Sequence, residues 1–468
     1  MGPTDLAFAG LARQAELVRA REVSPRELVD LYLERIERLD PQLNAFRVVL
    51  AERARAEAQQ AEGRAGAGDQ RPLLGVPVAV KDNLDVAGEL TGHGSAAHGE
   101  PVQADSEQVR RLREAGAIVI GKTHMPELAI WPWTESEAFG KTHNPWNPGR
   151  SAGGSSGGSG AAVAAGLVPA ASASDGGGSI RVPAASCGLV GLKPQRGRVS
   201  LMPDPQHWYG LSVAGSLSRR VIDTALWLDA VAGPAEGDAH RAEPPARPFV
   251  ESARTPPGKL RIALSTKSPI PLVKVEQPAK RAVAEVGEVL RSLGHEVAER
   301  DPSYPDVRPS FIPRWMRGIA DDAAGMAHPD RLEKRTRSLV SAARRIGDGG
   351  VRGALGRESR MAQKIGAVYD WADVVVTPTL PHPPRKLGRY DGRGWVWTMF
   401  GASNIVPFLV PWNTTGQPAM SVPAPSLQEG LPMGAQLVGR PHDEATLLSL
   451  AAQLEAEIGW PDRRPPVD

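Results

Sequence analysis

The chain has 468 residues, 41% of them hydrophobic, and its 55 Lys and Arg side chains nearly balance 53 Asp and Glu. This length allows a large core and two or three domains, and the balanced charge gives no reason to expect nucleic acid or acidic lipid as a partner. The single cysteine, Cys187, excludes a disulfide within the chain, fits a reducing compartment and predicts packing, not a catalytic thiol.

The N-terminal region predicts two helices. It lacks the basic start and apolar run of a signal peptide, so we expect a cytoplasmic protein without a membrane segment. The run from Ser24 to Glu27 has the pattern of a capped helix start, and this helix should continue to about Leu39. A second helix is predicted from Asn44 to about Glu62. We expect both to cover the core or a partner subunit, such as a second copy in a homodimer.

Strands and helices alternate along the rest of the chain. The apolar run V-P-V-A-V ends at Lys81 and predicts a buried strand. A helix near 106–115 and the strand A-I-V-I-G follow it. We then predict a helix at 221–232, a strand at 260–265, a helix at 279–293 and a strand at 372–380, with a proline-rich surface connection at 234–257. This alternation indicates an α/β fold.

Histidines near these elements could suggest a metal site. They are His93, His98, His124 and His143. No H-E-x-x-H or C-x-x-C spacing accompanies them. We therefore predict no catalytic metal and no cofactor.

The stretch from Gly149 to Pro194 is the most unusual part of the chain, because it has no charged residue between Ser151 and Ser174. A flexible Gly/Ser linker would not pass into A-A-V-A-A-G-L-V, and Ser, Gly and Pro interrupt every apolar run that could span a membrane. The G-x-S-x-G at 153–157 does not follow a buried strand, as a nucleophile elbow must. No Lys follows the glycines as in a phosphate-binding loop.

Two segments of this stretch, G-G-S-S-G-G-S-G-A-A-V-A-A-G and S-D-G-G-G-S-I-R-V-P-A-A, resemble the amidase signature family of serine hydrolases. Similar blocks occur in family order at Gly75–Asn83, Gly121–Glu127 and Thr415–Ala424, so the resemblance spans nearly the whole chain. It implies a mixed, twisted β-sheet flanked by helices. We expect one domain over 1–468, with N-terminal helices in 1–65, a catalytic core in 70–230 and a divergent substrate-pocket segment in 300–400.

The resemblance also implies a Ser-Ser-Lys triad. The implied site residues are Lys81 as base, Ser155 as bridging serine, Ser179 as nucleophile, the backbone amides of Gly176, Gly177, Gly178 and Ser179 as oxyanion hole, and Asp175, Arg181 and Ser156 as supports of the loop. The Gly154–Ser155 peptide is expected to be cis. Ala173 stands where the family usually has Gly, which removes no chemical group.

The residues themselves support a lysine base. A serine hydroxyl is a poor nucleophile until a base takes its proton, and neither signature segment contains the usual His. A lysine can serve only when it is neutral near pH 7 to 8, which requires desolvation because its ordinary pKa is about 10.4. Lys81 ends an apolar strand and so has a suitable setting.

Aromatic residues make up only 5% of the chain, yet several lie close to the family blocks. The predicted substrate-binding residues are Met125, Trp131, Trp133, Trp208 and Tyr209, and further aromatic residues near the divergent segment are Trp315, Trp395, Trp397 and Phe400. Flat apolar walls without an obvious charged anchor predict an uncharged, hydrophobic small molecule. We expect an aryl or alkyl amide first, as for an aryl acylamidase, then a carbamate, as for a urethanase, and also esters.

Three functions stay open at this point. The first is hydrolysis of an amide-type C–N bond through an acyl-enzyme. The second is a partner-dependent amidotransferase subunit that releases ammonia from glutamine for an acylated tRNA. The third is a binding module without catalysis, which the presence of Lys81, Ser155 and Ser179 disfavours.

Overall fold

The computed structural model describes residues 1–467, and within them the chain forms a mixed α/β fold around an eleven-stranded sheet. The strands are β1 (Phe46–Val49), β2 (Pro77–Lys81), β3 (Ile118–Thr123), β4 (Glu135–Ser136), β5 (Gly140–Lys141), β6 (His143–Asn144), β7 (Asn147–Ser151), β8 (Ala170–Asp175), β9 (Val190–Lys193), β10 (Val213–Ser218), β11 (Arg261–Leu264), β12 (Glu296–Glu299), β13 (Val374–Pro378), β14 (Ala419–Pro423) and β15 (Gly434–Val438). In the large sheet they lie in the order β1-β3-β2-β8-β10-β9-β14-β15-β13-β11-β12. Two short ribbons, β4 with β5 and β6 with β7, stand apart from it.

Helices cover both faces of this sheet. They are α1 (Pro3–Ala7), α2 (Leu11–Arg19), α3 (Pro25–Leu43), α4 (Ala51–Gly66), α5 (Glu107–Glu114), α6 (Gly157–Ala164), α7 (Arg181–Cys187), α8 (Val221–Val231), α9 (Phe249–Arg254), α10 (Gln277–Ser292), α11 (Arg308–Gly325), α12 (Lys334–Ala343), α13 (Asp348–Leu355), α14 (Glu358–Gly366), α15 (Trp395–Ser403), α16 (Val410–Thr415) and α17 (Glu444–Ile458). No helix within residues 1–467 has the length and apolarity needed to cross a lipid bilayer.

Strand β13 shows how the two faces of the sheet are buried. Successive side chains of a strand point to opposite faces, and every residue of β13 is buried. Val374 and Val376 join the apolar core that includes residues of α8, α10 and α17, whereas Val375 joins a core with Ile365 and Trp412 on the other side. The mixed α/β fold with helices on both faces of the sheet is therefore confirmed.

The arrangement of β2 between β3 and β8 determines where Lys81 and Asp175 lie. β2 runs parallel to both neighbours, and Ala79 of β2 lies opposite Ala171 of β8. β8 in turn pairs antiparallel with β10, from Asp175 opposite Val213 to Ala170 opposite Ser218. The C-terminal ends of β2 and β8 therefore meet at one edge of the sheet, where Lys81 and Asp175 end their strands.

Most of the predicted elements are confirmed with small shifts at their ends, but two predictions are wrong in part. The predicted helix from Asn44 begins only at Ala51, because the preceding residues form β1, whose pairing with β3 outweighs local helix propensity. The connection 234–257 contains α9, where the buried Phe249 packs into the core and its N–H donates to Asp229. The predicted capping box at Ser24 and Glu27 is present at the start of α3.

Candidate active site

Lys81 occupies a fully buried position at the end of β2. Its Nζ lies 2.7 Å from Ser155 Oγ and 2.9 Å from Ser174 Oγ, so it can donate a hydrogen bond to each. The two serines come from different elements, the glycine-rich turn before α6 and the strand β8. The structure thus brings the predicted base and the predicted bridging serine into direct contact.

Burial is the main influence on the Lys81 amine. It lowers the pKa of Lys81 from 10.5 to about 7, while the carboxylate of Asp175 acts in the opposite direction. An ammonium loses its hydration when buried, and so the neutral amine is favoured. Lys81 therefore carries a free lone pair in a large share of molecules near neutral pH, as a general base requires.

The turn that carries Ser155 is packed tightly from several sides. The Gly154–Ser155 peptide bond is cis, as predicted. A Cβ on Gly154 would lie 2.6 Å from backbone atoms of Trp133, so only glycine fits there. Ser156 ties the turn to its surroundings, because its N–H donates to Ser179 O and its Oγ accepts the N–H of Ser174 at 3.3 Å.

A buried ion pair holds the loop that follows β8. Asp175 and Arg181 are fully buried and joined by two hydrogen bonds of 2.9 Å. Asn413 Nδ2 also donates to Asp175 Oδ1, at 2.8 Å. Burial alone would raise the pKa of Asp175, but Arg181 and the Asn413 hydrogen bond hold it well below its ordinary value. Both predicted supports therefore hold the loop in one shape.

The glycine loop between Asp175 and Ser179 agrees with the prediction except at Gly178. The N–H of Gly178 donates to Asp175 Oδ1 at 2.6 Å and is thus already used. Within residues 1–467, the N–H groups of Gly176, Gly177 and Ser179 have no hydrogen-bond partner. The prediction that Gly178 contributes a free donor is wrong, because the carboxylate that shapes the loop takes this donor.

Ser179 stands where two cavities meet. Its side chain lines both of them, and within the described chain its hydroxyl makes no hydrogen bond. One cavity has a volume of about 420 Å³ and the other about 100 Å³; we name them the larger cavity and the apolar cavity. Ser155 lines only the larger cavity. A ligand bound at Ser179 can therefore place one part in each cavity.

The apolar cavity is lined partly by the divergent segment and partly by residues before and after it. Side chains of α11 and α15 form much of it, and its lining includes Trp131, Trp208, Phe311, Trp315 and Met399. Trp315 meets Trp131 and Trp208 edge to face, with ring centroids 6.4 and 6.5 Å apart. Such walls suit alkyl or aryl groups.

The larger cavity has a different character. Among the predicted substrate-binding residues, Met125, Trp208 and Tyr209 line it. Its other lining residues include Asp204, Asp321, Asp322, His93 and His207, and no Lys or Arg. The expectation of a site without charged groups is therefore wrong, because α11 and the loop before β10 bring carboxylates that no local motif announces. Within residues 1–467, no three His, Cys, Asp or Glu side chains are grouped so as to hold a metal ion.

Trp133 and part of the later aromatic group lie away from both cavities. Trp133 is buried, stacked between Trp131 and Tyr390 at centroid distances of 5.6 and 4.2 Å, and it lines a separate small cavity. Trp397 and Phe400 are 62% and 65% exposed on the outer face of α15. The predicted substrate contact of Trp133 is thus wrong, since its neighbours cover both faces of its ring.

Sequence reasoning missed Ser174 and Asn413. Ser174 follows Ser172 by two residues on β8, so both point to the same face, and both meet Lys81. The two-residue spacing of these serines could have predicted that both side chains lie on one face of β8. Asn413 lies 238 residues after Asp175 and gave none, because only the fold brings α16 to the glycine loop.

Comparisons with known proteins place these features in a family. Residues 27–448 match the family described as “Amidase”. The Mycobacterium tuberculosis protein named “Putative amidase AmiB2” is 52% identical over 472 residues, covering 100% of both chains.

Solved structures agree with this match. The substrate complex of 6-aminohexanoate cyclic dimer hydrolase superposes with a TM-score of 0.91 at 32% identity, covering 98% of this chain and 99% of that one. A bacterial aryl acylamidase of the amidase signature family superposes with a TM-score of 0.83 at 26% identity, covering 96% and 98%. The chain therefore belongs to the amidase signature family and is a hydrolase that acts on amide C–N bonds.

Proposed function

We propose that this protein hydrolyses uncharged amides with an apolar acyl group through an acyl-enzyme on Ser179. The observation that carries the proposal is the 2.7 Å contact between the buried Lys81 Nζ and Ser155 Oγ beside the cavities that Ser179 lines. In this proposal Lys81 is the base, Ser155 relays the proton and Ser179 is the nucleophile.

The first half-reaction forms the acyl-enzyme. Neutral Lys81 accepts the Ser155 proton while Ser155 accepts the Ser179 proton, and Ser179 Oγ bonds to the carbonyl carbon. The negative charge that develops on the carbonyl oxygen is stabilised by the free N–H groups of Gly176, Gly177 and Ser179. The C–N bond then breaks as Ser155 donates a proton to the nitrogen and regains one from Lys81, so a neutral amine leaves.

The second half-reaction returns the enzyme to its starting state. A water molecule gives a proton to the same Ser155–Lys81 path and attacks the acyl carbon. The bond from carbon to Ser179 Oγ breaks, Ser179 regains its proton, and the carboxylic acid is released. Each proton that Lys81 accepts is returned within the same half-reaction, so no cofactor is required.

The positions of the serines suggest which part of the substrate enters which cavity. The leaving nitrogen must face Ser155, which lines only the larger cavity. The acyl group then extends from Ser179 towards Gly177 and the tryptophan walls of the apolar cavity. A volume of about 100 Å³ favours a short alkyl chain or a single aryl ring there. Aryl carbamates and esters present the same carbonyl and are proposed as further substrates.

Acyl-chain preference tests this placement. We expect hexanoyl anilide to exceed acetanilide in kcat/KM by about 200-fold, because four more CH₂ groups are buried at about 0.8 kcal/mol each. Ala402→Trp, which fills the apolar cavity, should remove the advantage, whereas Trp397→Ala on the exposed face of the same helix should keep it. Efficient cleavage of glutamine, with anilides and aryl carbamates untouched, would instead favour the ammonia-releasing subunit.

The pH dependence of kcat/KM tests the lysine base. Because only neutral Lys81 accepts a proton and its pKa is about 7, kcat/KM should fall about tenfold per pH unit below pH 7. We expect the same decrease in kcat/KM below pH 7 with an anilide and with an aryl ester, since both reactions use the same base. A profile that is flat or rises towards pH 5 would contradict the assignment of Lys81.

A further inference from the structure

A second hydrogen-bonded group of side chains faces the larger cavity. His207 Nδ1 lies 2.7 Å from Ser212 Oγ, and His207 Nε2 lies 3.1 Å from Asp322 Oδ2. All three residues line the cavity, although Asp322 comes from α11 and the other two from the loop before β10. Trp208 Nε1 also donates to Asp322 Oδ2, at 2.7 Å. None of these residues takes part in the proton path of Lys81.

The carboxylate determines how the protons of this group are arranged. Burial opposes ionisation of Asp322, but His207 and Trp208 keep its pKa below the ordinary value, so it accepts hydrogen bonds. His207 Nε2 must then be the donor to Asp322. Burial disfavours the charged ring, yet Asp322 and Asp204 outweigh both burial and Lys81, and the pKa of His207 is raised. Because the pKa lies above the ordinary value of 6.5, most rings are protonated at pH 6. A protonated ring donates from Nδ1 as well, so at this pH Ser212 Oγ accepts and its own proton is free.

Ser212 lies next to the proposed reaction centre. A Cβ placed on Gly176 would be 2.8 Å from Ser212 Oγ, so this hydroxyl lies close against the glycine loop. Ser212 is 6% exposed, and His207 is the only partner of its hydroxyl within residues 1–467. A free hydroxyl proton at this place can reach a ligand in the larger cavity, next to the leaving nitrogen.

We propose that Ser212, oriented by His207 and Asp322, is a specificity-determining residue that donates a hydrogen bond to an uncharged oxygen on the amine half of the substrate. This inference rests on the proposed function, which places the amine half in the larger cavity. Asp204 and Asp321 on the same wall disfavour a carboxylate as the acceptor. The substrates selected are amides with an apolar acyl group and an amine half that carries a carbonyl or ether oxygen.

Binding of a matched pair of ligands tests the inference without turnover. N-pentylhexanamide and N-(4-oxopentyl)hexanamide differ only by a ketone oxygen in the amine half. Calorimetry on Ser179→Ala at pH 6, where His207 is mostly protonated, should show about fivefold tighter binding of the oxo compound. The added change Ser212→Ala should remove this preference, and His207→Gln, which leaves the hydroxyl but not its orienting ring, should reduce it below about twofold. Ser292→Ala, which removes an exposed hydroxyl at the end of α10 outside both cavities, should keep it.

The outcomes separate this inference from the proposed function. Equal binding of the two compounds to Ser179→Ala, or a preference that persists after Ser212→Ala, would overturn the role of Ser212. If the preference is present and depends on Ser212 while wild-type protein cleaves neither compound, the role of Ser212 stands and the proposed reaction fails. Thermal unfolding confirms that each variant is folded before its binding is compared.

Discussion

Ser179→Ala is expected to lower kcat for hexanoyl anilide by about 10⁵-fold or more, because among residues 1–467 no other hydroxyl lies at the junction of the two cavities with free N–H donors beside it. The residual rate should come only from binding and from the oxyanion donors. Single-turnover assays over days measure it. Ser292→Ala is the matched control, since it removes an exposed hydroxyl outside both cavities and should leave kcat within about twofold.

Acyl-enzyme formation gives this prediction a second readout. Mixing wild-type protein with an aryl hexanoate ester should add one hexanoyl group to the peptide that carries Ser179, as detected by mass spectrometry after an acid quench. Ser179→Ala should show no added mass. A hexanoyl group found on another residue in the wild-type protein, or a variant that retains more than about 1% of kcat, would contradict Ser179 as the nucleophile.

Lys81→Met is expected to lower kcat/KM by about 10³-fold or more while leaving substrate binding nearly unchanged. Methionine fills a similar volume but accepts no proton from Ser155. Ser155→Ala should have a loss of similar size. Because Lys81 and Ser155 act on one proton path in the proposed mechanism, the double variant should lose little more than either single variant. If the fold loss in kcat/KM of the double variant equals the product of the two single losses, the two residues act separately.

The same substitution should stabilise the fold at neutral pH. The pKa of Lys81 falls from 10.5 in the unfolded chain to about 7 in the fold. The unfolded state therefore binds more protons between pH 7 and 10.5, and the free energy of unfolding of the wild-type protein rises with pH in this window. Lys81→Met lacks this penalty, which is about 5 kcal/mol at pH 7, and its advantage should shrink towards pH 10. Chemical denaturation at pH 7 and pH 9.5 measures this difference, and a constant difference would contradict the buried neutral amine.

The polar wall of the larger cavity changes the view of specificity that the sequence suggested. Aromatic residues predicted an uncharged substrate, and the apolar cavity agrees with this for one half of the molecule. In the proposed placement, the other half would face the larger cavity, which Asp322, His207 and Ser212 line. We therefore propose a two-part substrate, with an apolar acyl half that fits the apolar cavity and an oxygen-bearing amine half that fits the larger cavity.

Local patterns in the sequence determined a large part of this protein. The apolar run ending at Lys81 predicted β2, and burial of that strand is what lowers the amine pKa. The resemblance to the amidase signature family implied the cis peptide at Ser155, which the small side chains around it allow, and implied that Asp175 and Arg181 support the loop. These features depend on residues close in the sequence, or on motifs that carry their own geometry.

The tertiary structure alone decided the rest, because the decisive contacts join segments far apart in the chain. Phe46–Val49 became an edge strand only because β3 offered a partner. Trp131 lines the apolar cavity and Trp133 does not. Tyr390, from the divergent segment, stacks on the ring of Trp133 and covers it. Asp322 meets His207 across 115 residues. No local pattern predicts such contacts, because each depends on which distant segments the fold brings together.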